Sequence, residues 1–306
     1  MIEDYHKAGE IVSKIRDDAS KMIKEGLLVL DLVEYVENEI KNMGAEIAFP
    51  CNVSINEIAA HYTAYLNDPT EIQAGDLVKL DLGAHINGYI ADTAITIMAP
   101  GDSLEDNLDE DTIEKNQKLI DASAEGLDAA IATVRDGVSL NKIGEEVEKV
   151  INSYGFNPIV NLHGHSLEQY NLHSGLSVPS NKDKNNQKIR EGDVLAIEPF
   201  ATDGLGFVTD TPDIYIFRFL KERPLRVLYT KKVLKTIKTN YSSLPFSYRW
   251  LNKIYPGARL FAAINQLIDI GAIYPYAALK EKTNKWISQT EHSVIVEKDG
   301  CEVFTK

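Results

Sequence analysis

Basic residues are scarce in this chain: 32 Lys and Arg stand against 46 Asp and Glu in 306 residues, a net charge of −14. That balance argues against a general nucleic-acid binder, because phosphate contacts need clustered Lys and Arg. Cysteine is nearly absent. Cys51 and Cys301 alone cannot make a disulfide framework and read as reduced thiols in a cytosolic protein. No apolar run approaches the roughly 18 residues of a membrane span. Met1-Ile2-Glu3-Asp4 shows neither the basic n-region nor the apolar h-region of a signal peptide. The expectation is a soluble cytoplasmic chain without nucleic-acid or membrane partners. The sequons at Asn52 and Asn240 are then chance matches. What is present, 44% hydrophobic and 25% charged residues, suits a globular α/β protein and excludes disorder. A chain this long buries roughly three quarters of its unfolded surface, so a metal is not needed merely to fold.

A weak internal duplication organises the chain. Ile72-Gln73-Ala74-Gly75-Asp76-Leu77-Val78-Lys79-Leu80-Asp81 returns 117 residues later as Ile189-Arg190-Glu191-Gly192-Asp193-Val194-Leu195-Ala196-Ile197-Glu198. Each copy is a Gly-Asp turn and a β-rich run that ends on a carboxylate. Upstream, Gly26, Val36-Glu37, Ile40 and Gly44 recur at an offset of 111 as Gly137, Val147-Glu148, Ile151 and Gly155, which reads as helices stopped by glycine C-caps. Ile11, Ile15, Ala19, Met22 and Ile23 stripe a first helix, and Leu119, Ala122, Leu127, Ala130, Ile131 and Val134 stripe its counterpart. Two halves, about 1–110 and 111–220, are expected, joined by a solvated acidic linker at Asp102–Glu114. Residues 221–280 stand outside the repeat and read as a helical insertion, with helices at 224–238, 248–254 and 259–270. Closing strands follow in 281–306. A pseudo-symmetric sheet flanked by helices, with a site between the halves, is the expected architecture.

Asn87-Gly88 is a strong two-residue hairpin signal. With these as the loop, opposed positions sum to 175, so Gly83 faces Asp92 and Asp81 faces Ala94. Asp81 and Asp92 then become diagonal neighbours on one face. The plainer reading, one solvent-facing strand aspartate, sits poorly with Leu80, Leu82, Ile90 and Ile95 around them. Two close carboxylates repel unless a proton or cation lies between them. Glu198 occupies the repeat position of Asp81, Glu291 opens a β-rich run, and His165 lies in the glycine-containing segment Asn161–Ser166. Four carboxylates and one imidazole suit two hard or borderline divalent ions.

The segment Asp76 to Asp92 resembles the signature of type 2 methionine aminopeptidases. Ala48-Phe49-Pro50, Ala59-Ala60-His61-Tyr62-Thr63, Gly164-His165-Ser166, Ile197-Glu198-Pro199-Phe200 and Thr290-Glu291-His292 match in the same order. The resemblance spans the chain and implies the pita-bread fold, a curved pseudo-two-fold sheet flanked by helices, with the type 2 insertion at 221–280. It implies that Asp81 binds one metal, that Asp92 and Glu291 bridge two, and that His165 and Glu198 complete the second shell. The ions would be Co, Mn, Fe or Zn. It further implies that His61 and His173 contact the scissile amide and the tetrahedral intermediate, with Glu198 carrying protons. Phe49, Leu172, His173 and Tyr276 would shape the methionine pocket. Nascent polypeptide N-termini are the implied partner, with transient ribosome proximity and a monomeric state. His163 departs from the family pattern, in which Asn is common, and Pro199 also occurs in prolidase and aminopeptidase P relatives. A chain that starts at the first helix favours the aminopeptidase over an Xaa-Pro peptidase, and five intact ligands favour it over a non-catalytic binding protein.

The remaining candidates read as structural. His6 is expected at the surface, His85 in a turn hydrogen bond, and His292 on the face opposite Glu291. His163 is poised between a pocket role and a structural one. Gly204-Leu205-Gly206 lacks the Gly-Lys-Ser/Thr of a phosphate loop and reads as a turn. Cys51 reads as a small buried residue.

Overall fold

The computed structural model describes all 306 residues. Helices α1 (Ile2–Ser20) and α2 (Val29–Asn42) precede strands β1 (Glu46–Ile55), β2 (Ile58–Ala60), β3 (Leu77–Ile86) and β4 (Tyr89–Met98). The second half follows as α3 (Leu104–Asn107), α4 (Glu110–Thr133) and α5 (Leu140–Ser153), then strands β5 (Asn157–Pro158), β6 (His163–Ser166), β7 (Ser177–Pro179), β8 (Val194–Ile197), β9 (Phe200–Thr202) and β10 (Val208–Phe219). The chain ends with α6 (Leu228–Tyr241), β11 (Pro245–Ser247), α7 (Tyr248–Ile254), α8 (Ala258–Asp269), β12 (Ile273–Glu281), β13 (Ile287–Gln289), β14 (His292–Val296) and β15 (Cys301–Val303).

The duplication has a backbone signature. Gly26 and Gly137 have φ of 79° and 78°, Gly44 and Gly155 have 82° and 84°, and Gly75 and Gly192 have 91° and 89°. Repeat-related glycines thus turn the chain in the same left-handed way. Gly44 and Gly155 directly follow the C-caps of α2 and α5. Gly26 and Gly137 do not cap helices, contrary to the sequence reading. α1 ends at Ser20 because the chain is diverted there: Glu25 N–H donates to Pro100 O and Gly26 N–H to Ile72 O. Met22 and Ile23 therefore lie beyond the helix.

Each half packs two helices on its strands. Val29, Leu32, Val33, Val36 and Ile40 of α2 join the α1 stripe in a core of 25 buried residues against β1 and β3. Leu119, Ala122, Leu127 and Ala130 of α4 and Ile143, Val147 and Ile151 of α5 centre a second core of 18. β1, β3 and β4 form one sheet, and β15, β14, β8, β6 and β7 another. An isolated bridge between Ala94 and Glu291 joins the halves. The acidic linker is not all coil: it holds α3, and Asp109 caps α4 by accepting from Thr112 N–H at 2.8 Å.

Residues 221–280 are less helical than expected. α6, α7 and α8 are present, but Ile273–Glu281 is strand β12, which pairs with β10 on one side and β2 on the other. Long-range pairing overrides local propensity there. A third core of 14 residues lies beneath these helices. Arg249 of α7, 1% exposed, ties them to the first half: its Nη2 donates to Glu37 Oε1 at 2.8 Å and its Nε to Ala64 O at 3.1 Å. Trp250 Nε1 donates to the other Glu37 oxygen. Arg249→Ala should leave the Glu37 carboxylate buried without its counter-charge, costing about 3–5 kcal/mol, read as a lower urea midpoint at unchanged slope.

Candidate metal centre

The β3–β4 hairpin pairs Gly83 with Asp92 and Asp81 with Ala94, the register expected from a two-residue Asn87-Gly88 turn. Asn87 and Gly88 have φ of 53° and 87°, both left-handed as that turn requires. The turn amide of Gly88 donates to His85 Nδ1, the structural role expected of that histidine. Asp81 and Asp92 accordingly share a face. The other half reaches them through backbone ties. Glu291 N–H donates to Ala94 O at 2.9 Å, Thr93 Oγ1 to Glu291 O at 3.0 Å and Ser293 Oγ to Asp92 O at 2.8 Å. His165 lies opposite Ala196 across β6 and β8, and Glu198 follows β8 directly.

One ligand atom from each of Asp92, His165 and Glu291 lies within 4.8 Å of the others. His165 Nε2 stands 3.7 Å from Asp92 Oδ2 and 3.9 Å from Glu198 Oε1. Asp81 and Glu198 line the same cavity, of about 190 Å³, outside that closest triplet. Asp81 Oδ1, Asp92 Oδ1, Glu291 Oε1 and His165 Nδ1 are buried without a hydrogen-bond partner. Such orphaned polar atoms are costly unless something binds them. Burial raises all four carboxyl groups, Asp81 to about 7, and Asp92, Glu198 and Glu291 well above the ordinary range. Mutual repulsion adds to the shift for the last three. Burial, and then His173, keeps His165 neutral. No Lys or Arg ion-pairs with any of these carboxylates, and the oxygen-rich donor set fits divalent cations.

The other residues singled out from sequence line the same cavity: His61, His173, Phe49, Leu172 and Tyr276. Gly83 makes room for Phe49, since a Cβ there would lie 2.2 Å from the ring. His61 is held in the left-handed region at φ 65°, a strained setting for a non-glycine residue. Its Nδ1–H donates to Ala277 O at 3.1 Å, which leaves Nε2 as an acceptor while the ring is neutral. Burial lowers His61 and takes His173 to about 4, so both are neutral near pH 7. The neutral His61 ring therefore presents an acceptor to the cavity. His163 also lines the cavity, but its Nε2–H donates to Val160 O and its Nδ1 meets Ser177 Oγ at 2.6 Å. His292 bonds Thr305 Oγ1, and Cys51 is buried with its thiol pushed up.

Three contributors escaped sequence reasoning. Asn52, which looked like a chance sequon, and Ile216 both line the cavity. Gln289, 1% exposed, donates from Nε2 to Glu198 Oε2 at 3.2 Å. Its backbone is locked to Thr96, whose hydroxyl accepts from Gln289 N–H and donates to Gln289 O. No local pattern marks a glutamine two residues before Glu291 as the partner of the distant Glu198.

Residues 3–226 match the model of metallopeptidase family M24. This chain belongs to that family. The M24 chain is 51% identical over 306 residues to the methionine aminopeptidase of Methanothermobacter thermautotrophicus, covering 100% of this chain and 99% of that protein. In structure it resembles a thermophilic Arx1, with a TM-score of 0.85 at 20% identity, covering 99% of this chain and 89% of that one. It also resembles the methionine aminopeptidase of Thermotoga maritima, with a TM-score of 0.71 at 21% identity, covering 100% and 96% of the two chains. The fold is the pita-bread fold of M24 enzymes.

Two outcomes are expected of this metallopeptidase. Asp81 and its neighbours have pKa values raised above their unfolded values near 4. The stabilising contribution of Asp81 is present below about pH 4 and is lost as pH rises through about 7, and Asp92, Glu198 and Glu291 act in the same direction. The melting temperature of chelator-treated protein should therefore fall over that window, and the rise on adding Mn²⁺ should be larger at about pH 8 than at about pH 5. Gln289→Ala should weaken metal binding by about 10–100-fold in a calorimetric titration, with Asp92–Glu291 geometry intact.

Proposed function

We propose that this chain is a metal-dependent methionine aminopeptidase, removing N-terminal methionine from nascent proteins whose second residue is small. The observation that carries the reading is the meeting of Asp92, His165 and Glu291, with orphaned buried donor atoms, beside a half-apolar cavity. The full-length likeness to a methionine aminopeptidase supports the substrate. Asp81, Asp92, His165, Glu198 and Glu291 would together hold the divalent ions. Bound divalent ions, Co, Mn, Fe or Zn, supply Lewis acidity toward the scissile carbonyl and toward water.

The residues of the chain do the rest. Phe49, Leu172 and Tyr276 enclose the methionine side chain, with apolar and aromatic contact suited to a thioether. Asp81 lies where the free α-amino group of the substrate is recognised, which restricts cleavage to the first residue. Glu198 takes the proton of the attacking water and returns it to the leaving amine. Gln289 occupies Oε2 of that carboxylate and leaves Oε1 toward the cavity. His61 accepts the scissile N–H at Nε2, and His173 donates to the carbonyl oxygen as it gains charge. The enzyme acts as a monomer in the cytoplasm on emerging chains.

Metal-loaded protein incubated with peptides beginning Met-Ala and Ala-Pro should release methionine alone, as read by mass spectrometry. Cleavage only before proline would move the chain to the Xaa-Pro branch. Asp92→Ala should lower kcat/KM by about a thousandfold or more, and unchanged activity in that variant would end the scheme.

A further inference from the structure

We infer that Arg218 is a specificity-determining residue for the part of the substrate beyond the scissile bond, its guanidinium receiving an acidic side chain at the third or fourth position. The inference rests on the functional reading above and adds a sequence preference to it.

Alternation along β10 sets the position. Phe217 is buried in the core beneath the insertion helices, so Ile216 and Arg218 point the other way, and Ile216 lines the cavity. Arg218 stands two residues further along the strand, roughly 7 Å from Ile216. It pairs with Pro245 of β11 on one side and with Tyr274 of β12 on the other. Pro245 lines the cavity, whereas Tyr274 is 50% exposed. Tyr274 packs edge-on against Tyr276, and Tyr276 edge-on against His61, with ring centroids 5.0 and 5.3 Å apart. One wall thus runs from His61 outward to solvent, and Arg218 sits at its outer end.

Nothing neutralises this cation. The side chain is half-buried, and its Nε is buried without a hydrogen-bond partner. Arg249 is satisfied by Glu37 and Glu34, but no carboxylate comes within ion-pair distance of Arg218. Its charge reaches the cavity groups: burial and then His61 lower His173, and Arg218 adds to them, while at Tyr276 it opposes the rise that burial causes. A partly desolvated guanidinium suits a carboxylate, whose two oxygens match its planar fork of donors. Along β10 the exposed Asp210 and Asp213 lie on the other side of Ile216. An acidic residue is therefore attracted to one flank of the mouth and repelled from the other.

Spacing selects the substrate position. His61 meets the scissile N–H, so the residues that follow leave along the wall toward Tyr274. An extended chain advances about 3.3–3.6 Å per residue, so the distance from Ile216 to Arg218 is two residues of substrate. With the second residue at the scissile bond, the fourth lies beside the guanidinium and the third within its reach.

The test is kcat/KM of the full-length, metal-loaded enzyme on four C-terminally amidated peptides: Met-Ala-Glu-Gly, Met-Ala-Gln-Gly, Met-Ala-Gly-Glu and Met-Ala-Gly-Gln. In these the Glu side chain is the sole carboxylate. At one of the two positions Glu should exceed Gln by at least about threefold, through KM rather than kcat, and the preference should shrink as salt is raised. Arg218→Gln should abolish the preference and Arg218→Lys should keep part of it. Each ratio is taken within one preparation, so a less stable variant does not disturb it. No preference in the unaltered enzyme overturns the inference, and so does a preference that persists in Arg218→Gln. An equal loss on Glu and Gln peptides, as contact with the peptide backbone would give, overturns it as well. No release of methionine from any peptide ends the functional reading and this inference with it, whereas release without an acidic preference ends this inference alone.

Discussion

Four carboxyl groups buried in one cavity, with no lysine or arginine to balance them, are the constraint around which this molecule is built. Like charges in a poorly solvated space repel strongly. They are held together by backbone and hydroxyl ties that carry no formal charge, such as Ser293 to Asp92 and Thr93 to Glu291. Arg16 reinforces the junction by donating to Thr93 Oγ1 and Thr305 O, both at 2.8 Å. The fold holds the oxygens in place, and a cation is the species that makes the arrangement favourable.

The duplication provides the means. Two similar units bring Asp81, within β3, and Glu198, just past β8, from repeat-related positions to one cavity. The bridge between Ala94 and Glu291 then sets the closing strand against the hairpin. Gln289 sits on the strand that leads into this bridge, so one short segment presents both a ligand and the amide that orients another.

Residues 221–280 serve two surfaces at once. Inward, β12 completes a sheet and adds Tyr276 to the cavity wall. Outward, α6 shows the basic face of an otherwise acidic chain. The Arg249–Glu37 contact joins the two roles mechanically, because it fixes these helices to α2 of the first half.

The sequence by itself determined the hairpin register, the repeat, the helices of the insertion and the residues that gather at the cavity. These are set by local chemistry: Asn-Gly allows one tight turn, alternation assigns faces, and glycine marks the breaks at Gly44 and Gly155. Tertiary structure alone decided what depends on distant partners. The end of α1 follows from bonds to Pro100 and Ile72, and β12 exists because β10 and β2 offer it hydrogen bonds. The tautomer of His61 was set by the carbonyl of Ala277, 216 residues away, and no spacing rule reports it. Gln289 gained its role only when folding placed Glu198 beside it. Net charge is additive along a chain, but potential depends on where the charges lie. Composition summed over the whole chain therefore read as acidic a molecule whose contiguous residues 221–280 carry a net positive charge.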